Sequence, residues 1–398
     1  MAFQFADRMR GVRPSAIRDL LKFGADPELI SFGGGYPDPS LFPVEGLRVV
    51  FDEVLSGDRR VLQYAQSDGD PRLRAQVAAR LNRDGIDCTA ADLLIVQGAQ
   101  QGLDLVGRLL LDPGDVVVTE DPTFIGALVA FNAYQAAYAP VRTDADGMDM
   151  ADLERVLAAN PRAKVIYTIP DFQNPTGVTL SLERRVRLME LARRFDVLVL
   201  EDSPYRQLRF DGDDVPTLAS LDTDGRVVHL GSFSKILSPG MRLGWALARG
   251  RVREGLLLLK LAADTQCSTL NMAAASAFME RYDLDEHIRG LRAAYKRKRD
   301  LMIETLGESF PPSVTFTNPE GGLFTWLTFP AGFDATAFLV EQAVPKAHVA
   351  FVPGAPFYPV PATAEANHAR LNYSGASDER IVTGLGRLAD LLRHQLPG

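Results

Sequence analysis

Residues 227–245 read VVHLGSFSKILSPGMRLGW, an apolar run followed by a turn that carries a lysine, an arginine and several hydroxyl groups. The continuous apolar start predicts a buried strand, so Lys235 is expected where this strand emerges into a loop. An amine in that position loses water, which lowers its pKa and frees a nucleophilic lone pair. Arg242 and the neighbouring serines suit an anionic group such as phosphate. Taken alone, the stretch is equally compatible with a surface loop that carries a solvated lysine.

Similar apolar runs precede this stretch, and helix-like segments separate them. Because β-branched runs that alternate with helices are typical of strands covered on both faces, the sequence predicts an α/β fold with a mainly parallel sheet. Ligands bind beyond the carboxyl ends of the strands in such sheets, and the polar residues discussed below follow strand ends. The predicted strands include Leu93–Val96, Val116–Val118, Lys164–Tyr167, Val197–Leu200, Val227–Leu230 and Leu323–Leu327, and the predicted helices begin near Pro14, Pro43 and Pro71 or cover 101–111, 181–195 and 377–396.

The composition is that of a soluble globular protein, with 46% hydrophobic and 24% charged residues. A chain of 398 residues exceeds what one hydrophobic core usually covers, so two domains are expected. The net charge of −8 argues against nucleic acid or an anionic membrane as the main partner. The sequence shows neither the apolar core of a signal peptide nor an apolar run of membrane length, so we expect a cytoplasmic protein.

The cysteines and histidines indicate neither a disulfide framework nor a metal site. Cys88 and Cys267 form no CxxC pair, and two isolated cysteines suggest reduced thiols. The five histidines show neither HxH nor HExxH spacing, so no metal is expected.

Four polar segments follow predicted strands, and each is a weak signal when taken alone. The segment 97–102 opens a helix with small residues, and free amides at a helix start form an anion site. The segments 121–124 and 171–177 follow the next strands, but Asn174 precedes a proline and is more often a turn former than a binding residue. The segment 201–205 places two carboxylates and a tyrosine at a strand end, where a buried carboxylate needs a partner.

Together these segments match the motifs of one enzyme family, in the same order. The motifs are Asn174-Pro175-Thr176-Gly177, Asp202-x-x-Tyr205, Ser232-x-Ser234-Lys235, Pro239-Gly240-x-Arg242-x-Gly244 and Arg370-Leu371-Asn372-Tyr373-Ser374. By these motifs, the sequence resembles the fold-type I, class I/II aminotransferases, which depend on pyridoxal 5′-phosphate (PLP), over nearly its whole length. The resemblance implies a large domain with a mainly parallel sheet of the seven-stranded type and a smaller α/β domain formed from both chain ends.

Within this family, the sequence resembles the branch that contains 2-aminoadipate and aromatic aminotransferases. The resemblance rests on Ser31–Gly35, on Pro39–Pro43 and on Gly98–Asp104. Ala99 and Gly102 depart mildly from it, because the corresponding positions are often serine and alanine.

The resemblance implies three catalytic residues. Lys235 would hold the cofactor covalently and, once released, move a proton between the substrate Cα and the cofactor. Asp202 would pair with the pyridine nitrogen and keep the ring protonated. Tyr205 would hydrogen-bond the 3′ oxygen of the cofactor together with Asn174.

The resemblance also implies how the rest of the cofactor is held. Phe124 would stack on the ring, where the family also uses tyrosine or tryptophan. Tyr64 lies in a segment that reaches the cofactor phosphate of the other subunit, which implies a homodimer with a shared active site; a tyrosine buried within its own chain is the alternative. The phosphate would be bound by Gly98, Ala99, Gln100, Ser232, Ser234 and Arg242, with a bidentate arrangement for the arginine.

Four residues are implied to bind the substrate. Arg370 would clamp the α-carboxylate, with Asn174 beside it and the amide of Gly35 approaching it; the glycines at 33–35 otherwise read as a flexible connector. Arg18 lies in a segment that covers the active site in this branch and can carry an arginine for the substrate side chain. A solvated arginine on an amphipathic helix is nearly as well supported.

The resulting hypothesis is an aminotransferase that moves an amino group between an L-α-amino acid and a 2-oxo acid, with glutamate and 2-oxoglutarate as one pair. The domains are expected at 1–44 (arm and part of the small domain), 45–285 (large) and 286–398 (small). One alternative is a lyase, decarboxylase or oxidase of the same fold, because the cofactor residues are shared. Another is a transcription regulator built on such a domain, which would need an additional basic winged-helix domain.

Overall fold

The computed structural model describes residues 3–10 and 28–396 of the chain. The predicted helix that begins near Pro14, and Arg18 on it, lie outside the described residues. Strands and helices are numbered below in chain order.

The strands are β1 (Ile30–Ser31), β2 (Leu93–Val96), β3 (Val116–Asp121), β4 (Ala137–Asp144), β5 (Gly147–Met148), β6 (Ala163–Thr168), β7 (Leu198–Asp202), β8 (Val227–Ser232), β9 (Gly244–Leu247), β10 (Thr315–Phe316), β11 (Phe324–Thr328), β12 (Val349–Ala350), β13 (Val352–Pro353) and β14 (His368–Asn372). The helices are α1 (Val44–Ser56), α2 (Pro71–Arg83), α3 (Ala99–Leu110), α4 (Ile125–Asn132), α5 (Met150–Ala159), α6 (Leu182–Arg194), α7 (Gly250–Asp264), α8 (Thr269–Arg281), α9 (Leu284–Ser309), α10 (Ala335–Phe338, continued by a π-helix at Leu339–Ala347) and α11 (Asp378–Gln395). Short 3₁₀ helices lie at Asp7–Arg10, Pro39–Leu41, Arg59–Leu62, Ala90–Asp92, Arg206–Leu208, Ala219–Leu221, Pro239–Met241, Ala355–Phe357 and Pro361–Thr363.

The central sheet has the strand order β2-β9-β8-β7-β6-β3-β4-β5. Neighbours from β8 to β4 are parallel, whereas β9 runs antiparallel to both β8 and β2. Every residue of β2, β8 and β9 is buried, as expected for strands covered on both faces. Because β5 has two residues and pairs only with β4, the sheet is a mainly parallel array of seven strands with a short extension. The predicted α/β fold is confirmed.

The starts of α2 and α3 differ in how their first amides are bonded. The Asp70 carboxylate accepts hydrogen bonds from the Arg72 and Leu73 amides at 2.9 and 3.0 Å and so caps α2, the helix predicted to begin near Pro71. Gly98, which has a φ of 72°, precedes α3. No side chain among the described residues caps the start of this helix. The first amides of α3 therefore point outward as hydrogen-bond donors.

A second, antiparallel sheet with the order β10-β11-β14-β13 forms from the C-terminal part of the chain. β1 pairs in parallel with β12, so a segment near the start of the chain joins elements near its end. Arg370 on the central strand β14 lies opposite Trp326 of β11 and Val352 of β13. Helices α9 and α11 pack against each other. The domain boundaries after residues 44 and 285 stay predictions.

Within residues 3–10 and 28–396, we find no helix whose length and apolar character would let it cross a membrane.

Candidate active site

The residues singled out in the sequence gather at the carboxyl ends of the parallel strands. Asp202 is the last residue of β7, Lys235 follows β8 by three residues, and Asn174 lies in the loop after β6. Arg370 reaches them from the second sheet, since its Nη1 donates a hydrogen bond to Asn174 Oδ1 at 2.9 Å. Asn174 Nδ2 in turn donates to Tyr205 Oη at 3.4 Å. Three segments that are distant in sequence thus form one buried network.

Arg370 is a buried cation that has no acidic partner among the described residues. Its side chain is 1% exposed, and its Nη2 donates a hydrogen bond to the Gly33 carbonyl at 2.8 Å. The guanidinium carbon lies 4.3 Å from the ring centroid of Phe324 and 5.1 Å from that of Phe357. In the part of the chain that the structure describes, no carboxylate forms an ion pair with Arg370, and its Nε has no partner. A buried guanidinium with spare donors is suited to bind a carboxylate.

The environment lowers the pKa of Arg370 to about 10, because burial penalises the charged form. The group is still charged at neutral pH, so its positive charge is available to a ligand.

Asp202 is a buried carboxylate with one oxygen paired and the other unpaired. Its Oδ2 accepts a hydrogen bond from Tyr167 Oη at 3.0 Å. Its Oδ1 is buried and has no hydrogen-bond partner among the described residues. Burial raises the pKa of Asp202 to about 6, against the effect of the Tyr167 hydrogen bond and of His229. A buried acceptor without a donor is costly, and the protonated nitrogen of a ligand would supply that donor.

Lys235 is half-buried, and its Nζ donates a hydrogen bond to the Gly35 carbonyl at 2.7 Å. Burial, with a contribution from the positive charges of Arg370 and Arg242, lowers the pKa of Lys235 to about 8. A fraction of the amine is therefore neutral and nucleophilic near neutral pH.

The start of α3 and the loop after Lys235 form a concave anion site. A Cβ at Gly98 would lie 2.7 Å from Arg242 Nη2, so the absence of a side chain lets the arginine reach the helix start. Arg242 has a left-handed φ of 52°, and its guanidinium donates to the carbonyls of Gln97 and Pro239 at 3.0 and 3.3 Å. The arginine is exposed, so its remaining donors are accessible to an anion.

Further donors surround this anion site. Ser232 Oγ accepts a hydrogen bond from the Ser234 amide at 3.1 Å, which places both hydroxyl groups in one turn. Ala99 and Gln100 contribute the first two amides of α3. The dipole of this twelve-residue helix also favours a negative charge at its start.

Phe124 provides an aromatic face beside the anion site. It precedes α4, and its ring fills the space that a side chain at Gly126 would occupy. The Gln100 side chain donates to the Gly126 carbonyl at 2.8 Å and so ties the start of α3 to that of α4. Phe124 is half-buried, which leaves part of its ring free to stack on a ligand.

One of the predicted residues that the structure describes, Tyr64, does not join this network. Tyr64 is 82% exposed and Leu62 beside it is 67% exposed, so the alternative of a tyrosine buried within its own chain is wrong. Arg18 lies outside the described residues.

Sequence reasoning missed Tyr167 and also a buried acid, Glu120. Glu120 is 2% exposed, and its Oε1 accepts a hydrogen bond from Thr168 Oγ1 at 2.6 Å. Its Oε2 accepts one from Gln173 Nε2 at 3.1 Å, and the same amide group donates to the Pro122 carbonyl at 2.9 Å. Burial raises the pKa of Glu120 to about 7.

The hydrogen bonds of Gln173 to Glu120 and to the Pro122 carbonyl connect the loop that carries Asn174 to the loop that carries Phe124. The one signal in the sequence is that Glu120 closely follows the apolar run Val116–Val118 in a predicted strand, where a charged residue needs a partner. The identity of that partner depends on the tertiary structure.

These groups fit PLP. The unpaired Asp202 oxygen suits the protonated ring nitrogen, the amine of Lys235 suits the aldehyde, and the site around Arg242 suits the phosphate. Together with the strand order of the central sheet, they define a PLP-dependent enzyme of fold type I.

Comparisons with known proteins identify the family. The family model described as aminotransferase class I and II matches residues 34–388. The aromatic-amino-acid aminotransferase 1 of Thermococcus litoralis is 38% identical over 98% of this chain and 94% of its own length, and the 2-aminoadipate transaminase of Thermus thermophilus is 36% identical over 96% and 94%. The crystal structure of Pyrococcus horikoshii kynurenine aminotransferase superimposes with a TM-score of 0.93 at 38% identity, covering 99% of this chain and 98% of that one.

The chain therefore belongs to the class I and II aminotransferases and is a PLP-dependent transaminase. This confirms the resemblance, the enzyme class and the cofactor that the sequence predicted.

Proposed function

We propose that this enzyme exchanges the amino group of an L-α-amino acid with the oxo group of a 2-oxo acid, and that glutamate and 2-oxoglutarate form one of its substrate pairs. The observation that carries the proposal is the buried guanidinium of Arg370, which has no acidic partner in the described chain. Both substrates of a transamination share an α-carboxylate, so one arginine serves both half-reactions. Its hydrogen bond to Asn174 links that carboxylate site to the proposed cofactor residues.

When bound, PLP supplies an electron sink for negative charge at the substrate Cα. Asp202 is ionised at neutral pH, since its pKa is about 6, and its Oδ1 would pair with the ring nitrogen and keep it protonated. Burial raises the pKa of the Tyr205 phenol above its ordinary value, so the hydroxyl stays a hydrogen-bond donor to the 3′ oxygen. Asn174 would donate to the same oxygen.

Lys235 is the proposed proton carrier. With a pKa of about 8, its Nζ can accept a proton from Cα and release it again near neutral pH. Its position after β8, next to a segment that also contacts Arg370, brings the amine and the carboxylate clamp to the same ligand.

Arg370 selects which bond at Cα is broken. A carboxylate held in a bidentate pair by a buried guanidinium cannot rotate freely, so the Cα–H bond, rather than the bond to the carboxylate carbon, is presented to Lys235. This argument favours transamination over decarboxylation.

We extend the proposed substrates to aromatic amino acids and 2-aminoadipate, on which the two relatives named above act. An apolar cluster of Ile125, Trp326, Val352 and Phe357 lies against Arg370 and supports apolar side chains. A distal carboxylate would need a further cation, for which we propose Arg18.

A single-turnover experiment tests the proposed reaction. The purified holoenzyme, in excess over L-glutamate and without an oxo acid, should form one 2-oxoglutarate per reacted cofactor while the cofactor absorbance changes. Adding an aromatic 2-oxo acid should restore the absorbance and produce the aromatic amino acid. Release of carbon dioxide or ammonia as the main product would contradict transamination and favour the decarboxylase or lyase alternative.

Arg18→Ala should lower kcat/KM for glutamate and 2-aminoadipate. The loss should correspond to about 1–3 kcal/mol of transition-state stabilisation, the contribution of a charge-assisted hydrogen bond. L-phenylalanine, which has no distal carboxylate, should be affected much less. Arg13→Ala, which removes another arginine of the same N-terminal segment of the sequence, serves as the control for net charge. Equal losses for acidic and aromatic donors would show that Arg18 does not bind the side chain.

We also propose a homodimer in which Tyr64 reaches the cofactor phosphate of the other subunit. The support is that Tyr64 and Leu62, two large apolar residues of one segment, are 82% and 67% exposed. Tyr64 borders a groove of about 570 Å³ lined in part by Val61 and Met272. Exposed apolar residues beside a groove suit a surface that a second subunit covers.

Tyr64→Phe should weaken PLP binding by about tenfold, because one hydrogen bond to a charged group is lost. Sedimentation should still show a dimer, and Tyr282→Phe at the end of α8 controls for the loss of a phenol hydroxyl. Mixed dimers of Tyr64→Phe and Lys235→Ala subunits decide whether the site is shared. If it is, half of the sites regain wild-type PLP affinity; if Tyr64 acts within its own subunit, none do.

We also propose that the large domain covers residues 45–285, that the small domain is formed from the remaining residues at both chain ends, and that the protein is cytoplasmic. The continuous central sheet from β2 to β9 supports the large domain, and the pairing of β1 with β12 supports a small domain built from both ends of the chain.

A further inference from the structure

We propose that Tyr167 is a positioning residue that keeps Asp202 ionised and oriented with its Oδ1 toward the ring nitrogen of PLP. This inference rests on the proposed function, in which Asp202 pairs with that nitrogen.

The geometry fixes both ends of this interaction. Tyr167 lies on β6, beside β7, and its side chain is fully buried. Its ring meets the ring of Phe131 edge-on at 5.9 Å between centroids, which restricts its movement. Its hydroxyl donates to Asp202 Oδ2 at 3.0 Å, and across the described residues no other group hydrogen-bonds this carboxylate. One oxygen is therefore occupied, and the other is held in a defined direction.

The electrostatics explain why a donor is needed there. Asp202 lies near the acid Glu120 on β3 and the phenol of Tyr205, and its negative charge raises the pKa of both groups; His229 on β8 favours that charge. Burial raises the pKa of Asp202, whereas the Tyr167 hydrogen bond lowers it. Burial and the neighbouring Asp202 raise the pKa of the Tyr167 phenol far above its ordinary value, so Tyr167 remains a neutral donor.

The consequence concerns the single proton between Asp202 and the ring nitrogen. If Asp202 is ionised, the proton resides on the nitrogen, and the ring can accept electrons. Without the Tyr167 hydroxyl, Oδ2 loses its donor, the carboxyl group retains a proton more readily, and it donates to an uncharged nitrogen. Tyr167 thus determines which of the two partners is charged, without touching the cofactor.

The test measures ligand binding to full-length apoenzyme prepared from the holoenzyme. Wild type and Tyr167→Phe are titrated with PLP and with an analogue in which a C–H group replaces the ring nitrogen. Tyr167→Phe should weaken PLP binding by about tenfold and change binding of the analogue by less than about twofold. Tyr138→Phe on β4, whose hydroxyl bonds to Leu128 and Asn132, is the matched control and should bind both ligands like wild type.

The outcomes distinguish the proposed pairing of Asp202 with the ring nitrogen from the proposed role of Tyr167. Equal wild-type affinity for PLP and the analogue would refute the Asp202 pair and thus that part of the proposed function. A wild-type preference for PLP that persists in Tyr167→Phe would overturn only the role of Tyr167. Equal weakening of both ligands would mean that the hydroxyl merely stabilises the fold, which also overturns the inference.

A second measurement covers the case in which Tyr167→Phe does not fold. Replacing Tyr167 by 3-fluorotyrosine keeps the ring and makes the phenol a stronger donor. With ¹⁵N-labelled PLP, the ring nitrogen signal should then move toward the protonated form, and an unchanged signal would overturn the inference.

Discussion

Lys235→Ala is expected to lower the rate of transamination by more than roughly 10⁴-fold, because it removes both the covalent attachment of the cofactor and the base at Cα. The fold should persist, since the Lys235 side chain is half-buried and makes one hydrogen bond, to the Gly35 carbonyl. The measurements are stopped-flow absorbance with glutamate and the melting temperature of the apoenzyme. The absorbance band of the lysine-bound cofactor should be lost.

Two controls accompany this variant. Lys235→Arg keeps a positive charge near the Gly35 carbonyl but cannot attach the cofactor, so it should be nearly as inactive. Lys296→Ala removes a partly exposed lysine that pairs with Asp211, and it should retain activity. Turnover by Lys235→Ala at the wild-type rate would refute the proposed mechanism.

Arg370→Ala should reduce kcat/KM for L-phenylalanine by at least about 100-fold, since two charge-assisted hydrogen bonds to the α-carboxylate are worth about 3 kcal/mol together. Arg370→Lys keeps the charge but loses the fork geometry, so an intermediate loss is expected. The measurement is steady-state kinetics with a saturating oxo acid, and the cofactor spectrum should stay that of the wild type.

A matched substrate identifies the group that Arg370 contacts. 2-Phenylethylamine has the side chain of phenylalanine without the carboxylate, so its half-reaction should be slow in wild type and nearly unchanged in Arg370→Ala. An equal loss with both substrates would show that Arg370 supports the site as a whole and does not bind the α-carboxylate.

Much of the sheet was predictable because its central strands are continuous apolar runs. β4 was missed because Ala137–Asp144 contains Pro140 and lacks a continuous apolar run, so it reads as a loop. β9 was missed because four residues at Gly244–Leu247 directly follow a turn, and only their pairing with β2 and β8 makes them a strand. Short strands of this kind are defined by their neighbours more than by their own sequence.

The candidate site was predictable where its residues form local motifs. Lys235, Asn174 and Asp202 each stand in a short segment whose spacing is specific, and the structure places all three at the same edge of the sheet. Tyr167 could not be singled out, because a tyrosine inside an apolar strand is usually a core residue. Its role depends on β6 lying beside β7, and the order of strands along the sheet is not encoded in any local pattern.

Two of the active-site cations, Arg370 and Lys235, bond to carbonyls of one short stretch of backbone. Arg370 Nη2 bonds to the Gly33 carbonyl and Lys235 Nζ to the Gly35 carbonyl, at 2.8 and 2.7 Å. A guanidinium has five N–H groups, so Arg370 can keep its bond to Gly33 while its remaining N–H groups bind a carboxylate. The backbone thus holds the guanidinium in place before a substrate arrives. A side chain held in this way loses little freedom on binding, so the ordering of the arginine offsets less of the guanidinium–carboxylate interaction.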